Sequence, residues 1–419
     1  MSQGTKTEFP VYLLENKVEG GKCTFMVNPN AKKLLTEINQ PVVVVAFAGS
    51  YQNSAEASQT VDNREKKQKK LYIMKKLIRG ANEASALKVE ASIHTESKGI
   101  RMWCFPHPHK KHHTLVLLDT DPLEDVEKED DKVNFGMFTL AVLLSSALVY
   151  DSDDTIDQKA LEKLKFLKPL SKLISVKPQD KDDEKAKVFS HFPIFIWTVE
   201  KFDADKMLDK KLTSKDDYLK VAVQLKENKR NQSEETHGSI SKELRTYFKQ
   251  HESFVFDEPT TNKQLHQRLE ELSDGDLNPR FVDKCQKLCD YIYHNAQEKK
   301  VHDGFTLTGQ RLAELAENYI EALNSSNTIH IEKVVDSWFQ RINIPVFEDA
   351  VNHYVSKMNR MNFLTQALKE FKKQSKECEE EAWERFLNKS VTVKDQECLT
   401  FARESEKEEK QLIDMGSLS

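Results

Sequence analysis

The run QPVVVVAFAG, Gln40 to Gly49, constrains this chain more than any other stretch. Four successive valines follow a proline, and apolar residues then occupy both phases of the strand alternation. A strand with one buried face alternates apolar and polar residues. One that is apolar in both phases is covered on both sides, as in a parallel sheet flanked by helices. The glycine that closes the run supplies the turn with which phosphate-binding loops begin. A lysine should then stand six residues after Gly49, with glycine before it and Ser or Thr after it. The chain has Ser54, Ala55 and Glu56 at those positions.

The 419 residues allow two or three domains, or one large domain with an appendage. With 31% charged and 38% hydrophobic residues there is enough apolar material for a core, and only 12 Gly and 12 Pro point to long helices rather than loops. A formal net charge of −5 excludes nucleic-acid or membrane binding by bulk electrostatics. The cysteines at 23, 104, 285, 289, 378 and 398 include no CxxC pair, which fits free thiols in a reducing compartment. Cys285 and Cys289 stand one helical turn apart with no second ligand pair nearby. The beginning, MSQGTKTEFP, lacks an apolar signal core, and the apolar run from Leu140 to Tyr150 is shorter than the ~20 residues that span a bilayer. The expected location is cytoplasmic.

Along the chain, a short apolar segment and a helix (Ala31 to Ile38) precede the valine strand. Leu71, Met74, Leu77 and Ile78 recur at helical spacing. Ile100 to Phe105 and Thr114 to Leu118 read as two strands joined by PHPHKKHH, a hairpin-like pair. Phe138 to Tyr150 reads as an apolar helix running into a strand, and Thr155 to Leu173 as an amphipathic helix. After the charged linker at 178–187, Phe195 to Val199 and Phe254 to Phe256 are further buried strands. From about Asn262 strand signals cease and helical patterns continue to the end. The organisation expected is an α/β domain over residues 1–300, with an insert near 52–70, and an all-helical domain over 301–419.

Four ordered stretches carry a family resemblance: QPVVVVA (Gln40 to Ala46), GIRMWCFPHP (Gly99 to Pro108), HTLVLLDTDPLEDVEKED (His113 to Asp130) and LAVLLSSALVY (Leu140 to Tyr150). Together they resemble the guanylate-binding proteins, interferon-inducible large GTPases of the dynamin superfamily. The similarity continues through FVFDEP (Phe254 to Pro259) and TGQRLAELAENYIEAL (Thr308 to Leu323). The resemblance implies a GTPase-type, P-loop NTPase-like α/β domain with a mostly parallel sheet, followed by an all-α helical domain. It also implies GTP and Mg²⁺ as ligands, cytoplasmic innate defence and dimers formed through the G domain face.

The family's site residues fall on altered positions. Its phosphate loop G-x-x-x-x-G-K-S falls on Gly49, Ser50, Tyr51, Gln52, Asn53, Ser54, Ala55 and Glu56, and its catalytic arginine on Gln52. In a second register, set by Tyr72-Ile73-Met74, Lys70 takes the lysine position, Lys69 the glycine and Leu71 the Mg²⁺ hydroxyl. The loop would then hold an insertion, since Gly49 to Lys70 is 21 positions. The switch I hydroxyl falls on Ser92. The switch II motif falls on Asp119-Thr120-Asp121-Pro122, with proline where a glycine N–H would meet the γ-phosphate. The guanine-reading aspartate falls on Lys201, which offers only donors, and the arginine of the guanine cap on Glu258.

The reading that follows is a pseudo-GTPase of this family, without cofactor, that pairs with intact guanylate-binding proteins through the G domain. The alternative is a residual GTP-binding protein using Lys70, Ser92 and Asp119, with Mg²⁺ on the last two. A third is an RNA or anionic-lipid binder through the basic segment Arg64 to Arg79, whose plainer reading is a basic helix start on a solvated loop. His107, His109, His112 and His113 suggest either a Zn²⁺ or Ni²⁺ site or, as favoured, an exposed hairpin tip. No specific nucleic acid is expected. The end, GSLS, has no CaaX cysteine, so no lipid anchor is expected, and the helical region is shorter than the family's full bundle.

Overall fold

A computed structural model of the chain describes residues 10–19, 22–49, 61–79, 99–121, 132–152, 170, 174–175, 192–199, 244, 247–248, 250–266, 268–301, 304–325, 328–360 and 368–391. The expected helix from Thr155 to Leu173 lies almost wholly outside these residues. The chain divides into two compact units, Met1–Glu332 and Lys333–Ser419.

The first unit is built on an eight-stranded sheet. In chain order its strands are β1 (Val11–Glu19), β2 (Lys22–Val27), β3 (Val42–Gly49), β4 (Gly99–Pro106), β5 (Thr114–Thr120), β6 (Ala147–Ser152), β8 (Ile194–Val199) and β9 (His251–Val255). Their spatial order is β2-β1-β4-β5-β3-β6-β8-β9. The valine strand β3 is central. It runs parallel to β5 on one side and β6 on the other, and β6, β8 and β9 continue in parallel. The β1–β2, β1–β4 and β4–β5 pairings are antiparallel. The apolar segment before the first helix is thus a hairpin, β1–β2, which the sequence pattern did not reveal. In a two-residue parallel pair with β7 (Ile174–Ser175), β10 (Ile329–His330) is a strand beyond the point where strand signals cease.

Every residue of β3 is buried, as its doubled apolar phase requires. Val43, Val45 and Phe47 meet α2 (Val61–Arg79) and α5 (Pro279–Asn295) in one core that includes Leu71, Met74, Leu77, Phe281 and Leu288. The alternating residues Val44, Ala46 and Ala48 face the other side of the sheet. Between β5 and β6 runs α3 (Lys132–Leu144), buried from Met137 to Leu144. Helix α5 follows the short α4 (Lys263–His266). It starts where the Asn278 side chain accepts the Arg280 N–H at 3.0 Å with Pro279 in the first turn, and its buried stripe is Phe281, Cys285, Leu288, Cys289 and Ile292.

Helix α6 (Gly309–Ser325) packs beside α1 (Pro29–Thr36) and β2. Near its end the Asn324 side-chain amide accepts the Phe25 N–H at 2.9 Å and donates to the Phe25 carbonyl at 2.8 Å, which occupies backbone groups on the sheet's outer strand. At its start Gly309 leaves no room for a side chain, because a Cβ there would lie 2.6 Å from the Leu35 carbonyl and 2.5 Å from Ile38 Cβ.

In the second unit α7 (Ile331–Met358) and α8 (Leu368–Lys389) enclose a small core of Ala350, Tyr354, Met358, Cys378, Ala382 and Phe386. The buried Asn343 donates to the Val391 carbonyl and accepts its N–H, both at 2.8 Å. Asp349 meets Arg385 at 2.9 and 3.1 Å on the surface, where such pairs add little. No helix among the described residues is long and apolar enough to cross a membrane.

Gly309→Ala is expected to destabilise the chain by about 1–3 kcal/mol, because backbone at Leu35 cannot yield to the new Cβ. Gly275→Ala, where only Ser273 Oγ lies nearby at 3.8 Å, should change it by less than about 0.5 kcal/mol. Equal thermal unfolding midpoints for the two variants would contradict this packing.

Candidate functional site

In an open α/β sheet, ligands bind beyond the carboxyl ends of the strands where successive connections leave in opposite directions. Here that place is the end of β3, between β5 and β6. Gly49 closes β3 opposite Asp151 of β6, and Phe47 lies opposite Asp119 of β5. Both aspartates are buried, with Asp119 fully so. A buried carboxylate needs a compensating charge or several hydrogen bonds.

Helix α2 supplies two charges from consecutive residues. Lys70 Nζ meets Asp119 Oδ1 at 2.5 Å, and Lys69 Nζ meets Asp151 Oδ1 at 2.9 Å. Both lysines are buried. Asp119 Oδ2 takes Arg101 Nη2 at 2.7 Å from the antiparallel neighbour β4, where Arg101 stands directly opposite. Asp119 raises the Arg101 pKa above its already high ordinary value. Asp121 lies 3.6 Å from the same guanidinium and accepts the Gly99 N–H at 2.8 Å; burial nonetheless pushes its carboxyl upward. The Thr198 hydroxyl donates to Asp151 Oδ1 at 2.5 Å, and Trp197 Nε1 donates to Ser152 Oγ at 2.7 Å. Lys69 Nζ also lies 5.5 Å from the centre of the Phe256 ring.

Of the residues the sequence assigns to a nucleotide site, the structure brings Lys70 and Asp119 together and sets Gly49 at the end of the neighbouring strand. Tyr51, Gln52, Ser54, Ala55, Glu56, Ser92, Pro122 and Lys201 lie outside the described residues. Glu258 is exposed, and its backbone carbonyl accepts from Asn278 Nδ2 at 3.0 Å.

The start of α2 decides what the site can hold. Phosphate loops use the free N–H groups of a helix's first turn. Helix α2 begins at Val61, nine residues before Lys70. At 1.5 Å per residue its four free amides lie ~9–13 Å along the axis from Lys70. The amides at Lys69, Lys70 and Leu71 are inside the helix, where the ladder consumes them. Leu71, at the metal-hydroxyl position, is 4% exposed and packed in the core. Both oxygens of Asp119 already have cationic partners. The described residues therefore do not fit a Mg²⁺–nucleotide complex.

The reading of the basic segment as a solvated helix start is corrected at three positions. Lys69 and Lys70 are buried in ion pairs, and Lys76 meets Asp274 Oδ2 at 2.5 Å, beside the Tyr72 hydroxyl that donates to Asp274 Oδ1. Sequence reasoning also passed over Arg101 and Asp151. Each had a signal, being a charge set in an otherwise apolar strand, IRMWCF and ALVYD.

The histidine turn between β4 and β5 is a docking element rather than a bare tip. His107 is buried, and its Nδ1 accepts the N–H groups of His109 and Lys110 at 3.2 and 3.0 Å. The His109 ring lies 4.5 Å from the Tyr293 ring, Lys110 Nζ donates to the Ala296 carbonyl at 3.1 Å, and His113 Nε2 stands 3.1 Å from Glu298. His112 is exposed and takes a left-handed φ of 61°. No group of metal-ligating residues occurs among the described residues. Cys285 and Cys289 are core residues of α5, and burial pushes the Cys289 thiol up to about 12.

Comparison with known proteins gives two family matches. The model described as "Guanylate-binding protein, N-terminal domain" matches residues 22–301, and "Guanylate-binding protein, C-terminal domain" matches residues 303–413. Guanylate-binding protein 6 of Homo sapiens is 36% identical over 401 residues, which is 95% of this chain and 60% of that protein. Guanylate-binding protein 3 of Mus musculus is 36% identical over 395 residues, 93% of this chain and 60% of that protein. Guanylate-binding protein 1 of Chlorocebus aethiops is 35% identical over 385 residues, 91% and 61% respectively. The chain thus spans about three-fifths of the length of these relatives.

Burial lowers the His107 pKa from 6.5 to about 4. Between those values the unfolded chain holds a proton that the folded chain does not, so folding stability rises with pH across this window and falls on acidification. His107→Asn, which keeps an acceptor without titrating, should flatten the acid limb of stability against pH between 6.5 and 4. An unchanged slope would place the acid sensitivity elsewhere.

Proposed function

The chain belongs to the guanylate-binding protein family, and from that premise we propose that it is a pseudo-GTPase that acts by pairing with intact members through the face of its G domain. The activity of the relatives, guanylate binding by their names, does not carry over to this site. The observation that carries the reading is the early start of α2, which takes into the helix the backbone amides that, in the register set by Lys70, would wrap phosphates. Removing one donor that stabilises developing charge lowers turnover roughly 10²–10³-fold, and the amides next to Lys70 are engaged in the helix. The scaffold that shapes the rest of the domain is kept, with a filled core on the α2 side of the sheet. A domain that keeps its form without its chemistry is suited to recognition. The setting is cytoplasmic, in or against the interferon-induced innate immunity that the family serves.

A second reading has one observation in its favour. Lys70 reaches the carboxylate at the end of β5, the place a phosphate-loop lysine would occupy, so a residual GTP-binding state would be built on Lys70, Ser92 and Asp119, with Mg²⁺ held by the last two.

Two measurements test the proposal. GTP hydrolysis by the full chain should fall at least ~10³-fold below that of an intact guanylate-binding protein assayed beside it. Purified intact members should retain the chain in co-precipitation. Turnover within tenfold of the intact protein, or no retention by any member, contradicts the corresponding half of the reading.

A further inference from the structure

We propose that the ammonium groups of Lys69 and Lys70 act as built-in ligands of this site, holding it in one closed state that requires neither nucleotide nor metal. The inference rests on the reading that the site does not turn over GTP, and it deepens that reading by assigning what occupies the site instead.

The geometry follows from the helix. Consecutive residues of an α-helix point ~100° apart. Helix α2 packs over β3, and the strands on either side of β3 carry Asp119 and Asp151 as their penultimate residues. Two adjacent lysines therefore diverge to the two flanking carboxylates, Lys70 to β5 and Lys69 to β6. A single lysine could satisfy one of them. The charges at the site also balance: Lys69, Lys70 and Arg101 stand against Asp119, Asp121 and Asp151. A site that binds a nucleotide phosphate needs surplus positive charge, and one that binds a divalent cation needs surplus carboxylate. This one presents neither surplus among the named groups.

The pairs also tie elements together. Lys70–Asp119–Arg101 joins α2, β5 and β4, while Lys69–Asp151–Thr198 joins α2, β6 and β8. In a nucleotide-dependent switch, ligand contacts supply such cross-links and their loss releases the loops. Here both ends of each cross-link are side chains of the protein itself.

Thermal unfolding of the full chain tests the inference. Millimolar Mg²⁺ with GDP or a non-hydrolysable GTP analogue should move the wild-type Tm by less than ~1 °C, as no ligand selects the folded state. Lys70→Met should lower the Tm by about 10 °C, because it leaves buried Asp119 short of a charge. The double variant Lys70→Met with Asp119→Leu should regain part of that loss, since an apolar pair leaves less charge uncompensated. A wild-type rise of ~3 °C or more with Mg²⁺ and nucleotide overturns the inference, as does a Lys70→Met chain that melts with the wild type. If a variant fails to fold, the ligand arm on the wild type still decides. These readouts use the chain alone, so failure to pair with an intact relative would count against the proposed function and leave this inference standing.

Discussion

The site depends on the compensation of two buried carboxylates at the ends of strands flanking β3. Asp119 and Asp151 lie where the sheet opens toward a ligand, yet both are out of water. Uncompensated, they would be neutralised or would open the sheet edge. Lys69 and Lys70 meet them, and this requires α2 to lie across β3 with its tenth residue at the strand ends. Helix α2 begins nine residues before Lys70, so the amides next to that lysine lie within the helix ladder. In the proposed reading, charge compensation and the loss of phosphate binding follow from the same helix placement.

This arrangement gives the family membership a specific content. The relatives matched along most of the chain are named for guanylate binding, and the sheet order and the position of Asp119 are those of a domain built around a ligand. A lysine ammonium and a guanidinium face Asp119 here, both from the chain itself. Buried ion pairs add little net stability compared with apolar packing, but breaking one side of a pair is strongly destabilising. Such a network fixes geometry more than it deepens the energy well.

Much of the fold was legible in the sequence because its signals are local. The doubled apolar phase of Val42–Ala48 announced a buried parallel strand, and the run from Phe138 into Tyr150 announced α3 and β6. The β1–β2 hairpin escaped notice because VYLLENKVE mixes phases, and β1 also pairs with β4, where Gly99 leaves no room for a side chain beside the Leu14 carbonyl. Asn324 and Asn343 were invisible for a different reason. Each pairs with a backbone amide 299 or 48 residues away, and no local pattern encodes that. At the site, Asp119 and Lys70 were both identified, but their contact spans 49 residues and depends on where α2 begins. Lys69, Lys70, Lys75 and Lys76 look alike in composition, and only packing separates the two buried lysines from the two partly exposed ones.

The central claim is that the end of β3 holds its own cations and has no seat for a nucleotide. Titration of the full-length chain with a fluorescent GTP analogue, in the presence and absence of Mg²⁺, tests it most directly. The account predicts no saturable signal up to about millimolar nucleotide and no effect of Mg²⁺, since ~1 mM marks the bound where binding is worth only ~4 kcal/mol. Saturable, Mg²⁺-dependent binding in the micromolar range, lost on Lys70→Ala, would contradict it.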